Sequence, residues 1–211
     1  MTFFFSSKNV CTYFVSTILT CLLVSICARN AHAQINSEIY NEYKFQMGYA
    51  HSGNSVVLLG KTPNTTSNLF YISGSKLLKS YNATTFLYYT SSIQPYLKYH
   101  YPRRDYDGSM AEVQGFGIAP FGLQLQKVLN NRVSALAEST GGFALVQHNF
   151  PTDKGRKLNF TFDISTTLVV ELMKPISLAA GYKFHHISNA NTGRQNPGID
   201  SNFLFISLYI N

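Results

Sequence analysis

The chain has 211 residues, with 17 basic and 10 acidic ones for a net charge of +7, and it holds 16 Phe and 14 Tyr but no Trp. All three cysteines, Cys11, Cys21 and Cys27, lie within the first 33 residues. If that stretch is removed, disulfide and thiolate chemistry go with it.

Residues 1–33 read as a signal peptide. Lys8 gives a positive start, Val10 to Ala28 is mostly apolar, and Ala31-His32-Ala33 is a small-x-small cleavage site, so the mature chain is expected to run over 34–211 from Gln34. An uncleaved N-terminal membrane anchor is the alternative. Lys8 and Arg29 leave with the leader and every acidic residue lies after it, so the mature chain keeps 15 basic against 10 acidic residues. That surplus on an exported chain points away from nucleic acid and toward anionic or phosphorylated lipid. After residue 33 no apolar run approaches the roughly 20 residues that a spanning helix needs, so insertion into a membrane has to be as a barrel.

The mature chain alternates with period 2 rather than with helical spacing. In Asn159 to Leu172, Phe160, Phe162, Ile164, Thr166, Leu168, Val170 and Leu172 form one face. Asn159, Thr161, Asp163, Ser165, Thr167 and Glu171 form most of the other. In a soluble sandwich the apolar face would be the core, whereas in an outer-membrane barrel it meets lipid and the polar one lines the lumen. Strands are expected at 42–50, 66–78, 84–101, 112–126, 132–147, 158–172, 175–187 and 200–210. Eight is the even number that a closed bacterial barrel uses. Pro95 and Pro120 fall inside two of them and mark bulges or bends. Val56 to Leu59 either extends the first strand or forms a short piece of its own.

Short connections at Ser80 to Ala83, Lys127 to Asn131 and Lys174-Pro175 alternate with longer ones at 51–65, 102–110, 148–156 and 189–199. Short periplasmic turns and long outer loops are the barrel habit. The long set carries Arg103, Arg104, Lys154, Arg156 and Arg194, which would face a phosphate-bearing outer leaflet or serve only as solvated charges.

Near the C-terminus, H-H-I-S-N-A at His185 to Ala190 and N-P-G-I-D at Asn196 to Asp200 bring a base, a nucleophile and an acid together. Strand side chains two apart share a face, so His186 and Ser188 project together while His185 and Ile187 point the other way. A hairpin across the Gly193 to Gly198 loop returns Asp200 to His186. The apolar residues Ile176, Leu178, Ala180, Tyr182 and Phe184 share the parity of His186 and Ser188, and Leu204, Ile206, Leu208 and Ile210 share that of Asp200. The three candidates therefore lie on the lipid-facing side near the outer rim. His185 and His186 do not form a metal pair, since neighbours in a strand face opposite ways and no further ligand stands at suitable spacing.

These two strings, with echoes at Gly115 to Gly122 (G-F-G-I-A-P-F-G) and Asn159 to Asp163 (N-F-T-F-D), resemble the lipid A 3-O-deacylase (PagL, acyloxyacyl hydrolase) family. The resemblance implies an all-β fold, an eight-stranded antiparallel transmembrane β-barrel of the bacterial outer membrane. It also implies hydrolysis of the ester-linked acyl chain at position 3 of lipid A. His186 then corresponds to the family's base and Ser188 to its nucleophile, with Asp200 standing where the family's usual acid is Glu. The loop would supply the oxyanion hole through Asn196, helped by the Asn189 to Ala190 backbone, although Asn196-Pro197-Gly198 also reads as a plain turn. No cofactor or metal is expected. Lipopolysaccharide and outer-membrane lipid are the expected partners, and a homodimer is left open. The rival readings are a catalytically silent structural or adhesive barrel of the same fold and a soluble lipocalin-like ligand-binding barrel.

Overall fold

A computed structural model describes residues 42–103 and 109–210. The expected signal peptide and its cleavage point lie outside the described residues, as does Arg104. The strands are β1 (Tyr43–Ser52), a two-residue β2 (Ser55–Val56), β3 (Thr66–Asn82), β4 (Thr85–Pro102), β5 (Met110–Val128), β6 (Val133–Phe150), β7 (Arg156–Met173), β8 (Ile176–Ser188) and β9 (Ile199–Ile210). β1 and β3 to β9 pair antiparallel in chain order, and β1 closes on β9 from Phe45↔Ile210 to His51↔Leu204. The chain is an eight-stranded antiparallel β-barrel, and the eight long strands sit where the alternation places them.

Alternation explains the ring. Along β7, Asn159, Thr161, Asp163, Ser165 and Thr167 are buried, while the intervening Phe160, Phe162, Leu168 and Val170 are exposed. β9 repeats the rule, with Phe203, Phe205, Ser207 and Tyr209 inside and Leu204, Ile206, Leu208 and Ile210 outside. A large aliphatic side chain left in water forgoes about 1.5–3 kcal/mol of transfer free energy, so a belt of this size fits lipid and not solvent. This orientation removes the lipocalin-like reading, which needs the apolar parity to face inward. β3 to β7 have 17 to 19 residues each. A tilted strand spans the hydrocarbon with about 9–11, so their ends extend beyond the bilayer.

Both prolines mark irregularities. Pro95 lies in the register shift between Gln94 and Leu97, and Pro120 in the one between Ile118 and Phe121. A proline has no N–H for the ladder, and a bulge is where the ladder can spare one.

The lumen is filled. An eight-stranded ring is only wide enough for side chains. Toward the long-loop end, Leu69, Tyr99, Tyr101, Val113, Phe150, Ile187 and Phe203 form an apolar plug. The polar lumen expected from alternation holds for the middle, while at the loop end the inward positions of several strands carry aromatic and aliphatic residues. In the middle, Gln46 donates to the Tyr71 hydroxyl at 2.9 Å and to Ser207 Oγ at 2.8 Å. Gln124 donates to Glu138 at 2.8 Å, and the Lys183 ammonium lies over the Tyr71 ring.

The short connections are residues 83–84, 129–132 and 174–175, all at one end. At the other end lie the loops 57–65, 151–155 and 189–198. Gln195 N donates to Lys154 O at 3.2 Å and Arg156 Nε to Thr192 O at 2.9 Å, which ties the last two loops together.

Candidate active site

The site is built at the loop end of β8 and β9. In their register His186 stands directly opposite Asp200. Cβ atoms of opposite residues in an antiparallel pair are about 4.5–5.5 Å apart, a gap that one short carboxylate and one imidazole close between them. His186 Nδ1 lies 2.6 Å from Asp200 Oδ1. The register thus supplies the reach that the shorter acid lacks. A carboxylate accepts only, so Nδ1 donates to it, and in the neutral ring Nε2 is then the nitrogen with the lone pair.

Asp200 has the outward parity of Leu204 and Ile206, yet it is fully buried. Its cover is the first long loop. β2 continues the β1 edge along β9, pairing Ser55 with Ser201 and Val56 with Asp200, and the chain then wraps over the outer face. The backbone N–H groups of Leu58, Leu59 and Gly60 donate to Asp200 Oδ2 at 3.0, 2.6 and 2.7 Å. Lys61 N donates to Pro197 O at 2.5 Å. Three amides and one imidazole take the place of water around this carboxylate.

This approach depends on two glycines. A Cβ on Gly60 would sit 2.8 Å from Ile199 N and 2.9 Å from the Gly198 carbonyl carbon. Gly198 has φ +61°, and a Cβ there would meet His186 Cε1 at 3.1 Å. The left-handed backbone and the narrow gap both favour the residue without a side chain.

Ser188 shares the outward parity of His186 two residues along β8 and is half-buried. Among the described residues its Oγ makes no hydrogen bond with His186, a common state of nucleophile and base before substrate binds. The structure therefore brings His186 and Asp200 into contact and sets Ser188 on their face.

The following loop is held by Asn189, which is fully buried. Its side chain donates to Gln195 O at 2.7 Å, and its carbonyl accepts from Thr192 N and Thr192 Oγ1. Its N–H donates to Asn196 Oδ1 at 2.8 Å. That N–H is engaged, whereas Asn196, with its oxygen fixed, has its Nδ2 to offer. Ala190 and Asn191 follow with φ of 50° and 62°. A left-handed alanine costs about 1–2 kcal/mol, strain of the kind that gathers where a chain is bent for function.

The expected phosphate-binding cations divide. Arg103 pairs with Asp153 at 3.2 Å, Arg156 holds Thr192, and Lys154 and Arg194 are exposed on the two tied loops.

Sequence reasoning did not identify the 57–60 segment. A backbone N–H leaves no mark in a sequence, and Gly60 alone signals only a turn. It also did not pair His185 with Asp163. These two are opposite partners across β7 and β8, 2.5 Å apart inside the barrel, and the sequence shows only their shared inward parity.

The architecture is that of a bacterial outer-membrane barrel with a His–Asp pair and a serine on its outer rim. A sequence model of the lipid A 3-O-deacylase (PagL) family matches residues 65–209, and the chain belongs to that family. Among solved structures it is similar to the outer membrane enzyme PagL, with a TM-score of 0.57 and 17% identity over 77% of this chain and 97% of that one. It is also similar to Neisserial surface protein A, with a TM-score of 0.48 and 14% identity over 81% and 97%. The attachment invasion locus protein Ail of Yersinia pestis gives 0.48 and 10% over 80% and 96%. At these identities the likenesses concern the fold. No curated protein matches the chain.

Proposed function

We propose that the chain is an active lipid A 3-O-deacylase, a serine esterase that releases the ester-linked 3-hydroxyacyl chain of lipopolysaccharide. It is exported by removal of residues 1–33 and works from the outer membrane. The observation that carries this reading is the His186–Asp200 contact of 2.6 Å on the lipid side of the barrel, with Ser188 on the same face.

In this mechanism Asp200 orients the imidazole and stabilises its cation, while Nε2 removes the proton from Ser188 Oγ as it attacks the ester carbonyl carbon. Asn196 Nδ2 donates to the oxyanion. The sugar alkoxide leaves with the proton held on Nε2, and an acyl group stays on Ser188. Water, deprotonated by the same nitrogen, then attacks that acyl-enzyme, freeing the 3-hydroxy fatty acid and restoring the serine. A site on the outer face meets the ester at the headgroup boundary, so the lipid need not leave the bilayer.

Mass spectra of lipid A from lipopolysaccharide incubated with the purified protein in detergent test the reading. Loss of one 3-hydroxyacyl group, absent with Ser188→Ala, is the expected result. Unchanged lipid A with the wild-type protein under all conditions would favour the silent barrel.

A further inference from the structure

The loop that covers Asp200 has two sides, and the mechanism above uses neither. Three consecutive amides, Leu58 to Gly60, face inward onto one carboxylate oxygen. The side chains turn the other way. Val57, Leu58 and Leu59 are 62%, 46% and 56% exposed, an apolar run within a loop that is otherwise mostly Ser, Gly, Asn, Lys and Thr. Asp200 has outward parity, so its cover lies on the lipid side of the rim, beside the half-buried His186 and Ser188. The run thus lies on the same side of the sheet as the apolar belt and is held at Asp200 by its own backbone. It also precedes the 65–209 stretch that carries the family match.

We propose that residues 57–60 form a positioning clamp: the backbone holds Asp200 against His186, and Val57, Leu58 and Leu59 form the wall on which the substrate's acyl chain lies. The proposal rests on the deacylase reading. Its consequence is a coupling between the two sides of one loop. An acyl chain pressed on the wall covers the exposed Leu58 and Leu59 side chains and fixes the clamp against Gly198, so the acid is best held when substrate is present. The occupant is an acyl chain and not a protein partner, because the wall faces the bilayer and lies next to a nucleophile suited to esters.

Position 59 separates the two roles. Leu59→Pro deletes the shortest of the three amide contacts, whereas Leu58→Ser with Leu59→Ser keeps every amide and removes the apolar wall. Gly60→Ala, whose Cβ would press on Gly198 and Ile199, is a second way to lift the backbone. All three changes lie in a loop, and heat-modifiable gel migration reports whether the barrel is intact. Full-length protein in detergent is assayed with lipopolysaccharide and with a water-soluble short-chain p-nitrophenyl ester. Leu59→Pro and Gly60→Ala are expected to lower kcat about tenfold or more on both substrates, with KM changed less than about twofold. The double serine variant is expected to raise KM for lipopolysaccharide about fivefold or more, and by a smaller factor for the short ester. Wild-type activity with kcat unchanged in both backbone variants would overturn the clamp. An unchanged KM for lipopolysaccharide in the double variant would overturn the wall and leave the run as a contact for bulk lipid. A wild-type protein inert on lipopolysaccharide would overturn the deacylase reading, and this inference with it.

Discussion

Two adjacent histidines of β8 each face an aspartate directly across the sheet, His185 with Asp163 of β7 and His186 with Asp200 of β9. The pairs are alike in contact, 2.5 and 2.6 Å through Nδ1, and differ in everything around them. His185 is fully buried in the lumen, and its second nitrogen is taken by the Tyr99 hydroxyl at 2.8 Å. Asp163 also accepts from Thr140 at 3.0 Å. Every polar atom of that ring is occupied. The His186 side chain is 17% exposed, and among the described residues its Nε2 has no partner. A His–Asp contact by itself therefore identifies no catalyst. What distinguishes the outer pair is a free lone pair on the side where a substrate can arrive, with a serine two residues along the same face.

The largest expected effect is at the reacting groups. Ser188→Ala should lower kcat for fatty-acid release by about 10³-fold or more in a barrel that still shifts on heated gels. Asp200 orients without making bonds, so Asp200→Ala should cost less, about 10²-fold, by the same assay. From the sequence alone, Asp200→Glu restores the family's usual side chain and should preserve or raise the rate. The structure points the other way, since the carboxylate is fully buried beneath three amides and already touches Nδ1, with no gap for another methylene. A rate several-fold below wild type is expected for that variant, and one above it would show that the loop yields.

The inner pair should respond in stability instead. His185→Ala leaves Asp163 buried without its main partner. Removing one member of a buried pair costs about 3–5 kcal/mol, to be read as a lower urea midpoint of the barrel in lipid vesicles. The smallest effect is at the loops. Neutralising Arg103, Arg104, Lys154, Arg156 and Arg194 together should weaken action on bisphosphorylated lipid A more than on the dephosphorylated form. Exposed charges contribute little one at a time, and Arg103 is already paired with Asp153. Equal losses on both substrates would reduce the five to solvated charge.

Most of the fold was legible because a barrel writes itself in alternation. β7 and β9 show it most plainly, and Pro95 and Pro120 mark their own bulges. The outer pair was legible for a related reason, since one hairpin and one parity bring His186 and Asp200 together. The clamp was not. Leu58, Leu59 and Gly60 act on Asp200 through backbone groups about 140 residues away in sequence, and only the closure of β1 on β9 brings them there. The inner pair lay between. Asp163 and His185 both carry inward parity, but their meeting depends on the register of β7 against β8, which the irregularity between Glu171 and Met173 shifts just above the 174–175 turn and which the residue pattern does not state.

The claim that the outer pair alone does the chemistry is tested by His185→Ala and His186→Ala side by side. Release of 3-hydroxy fatty acid from lipopolysaccharide is measured for each and expressed per folded barrel. The account predicts a loss of about 10³-fold for His186→Ala and a rate within a few-fold of wild type for the His185→Ala molecules that fold. Equal losses in the two, or the greater loss at His185, would contradict it.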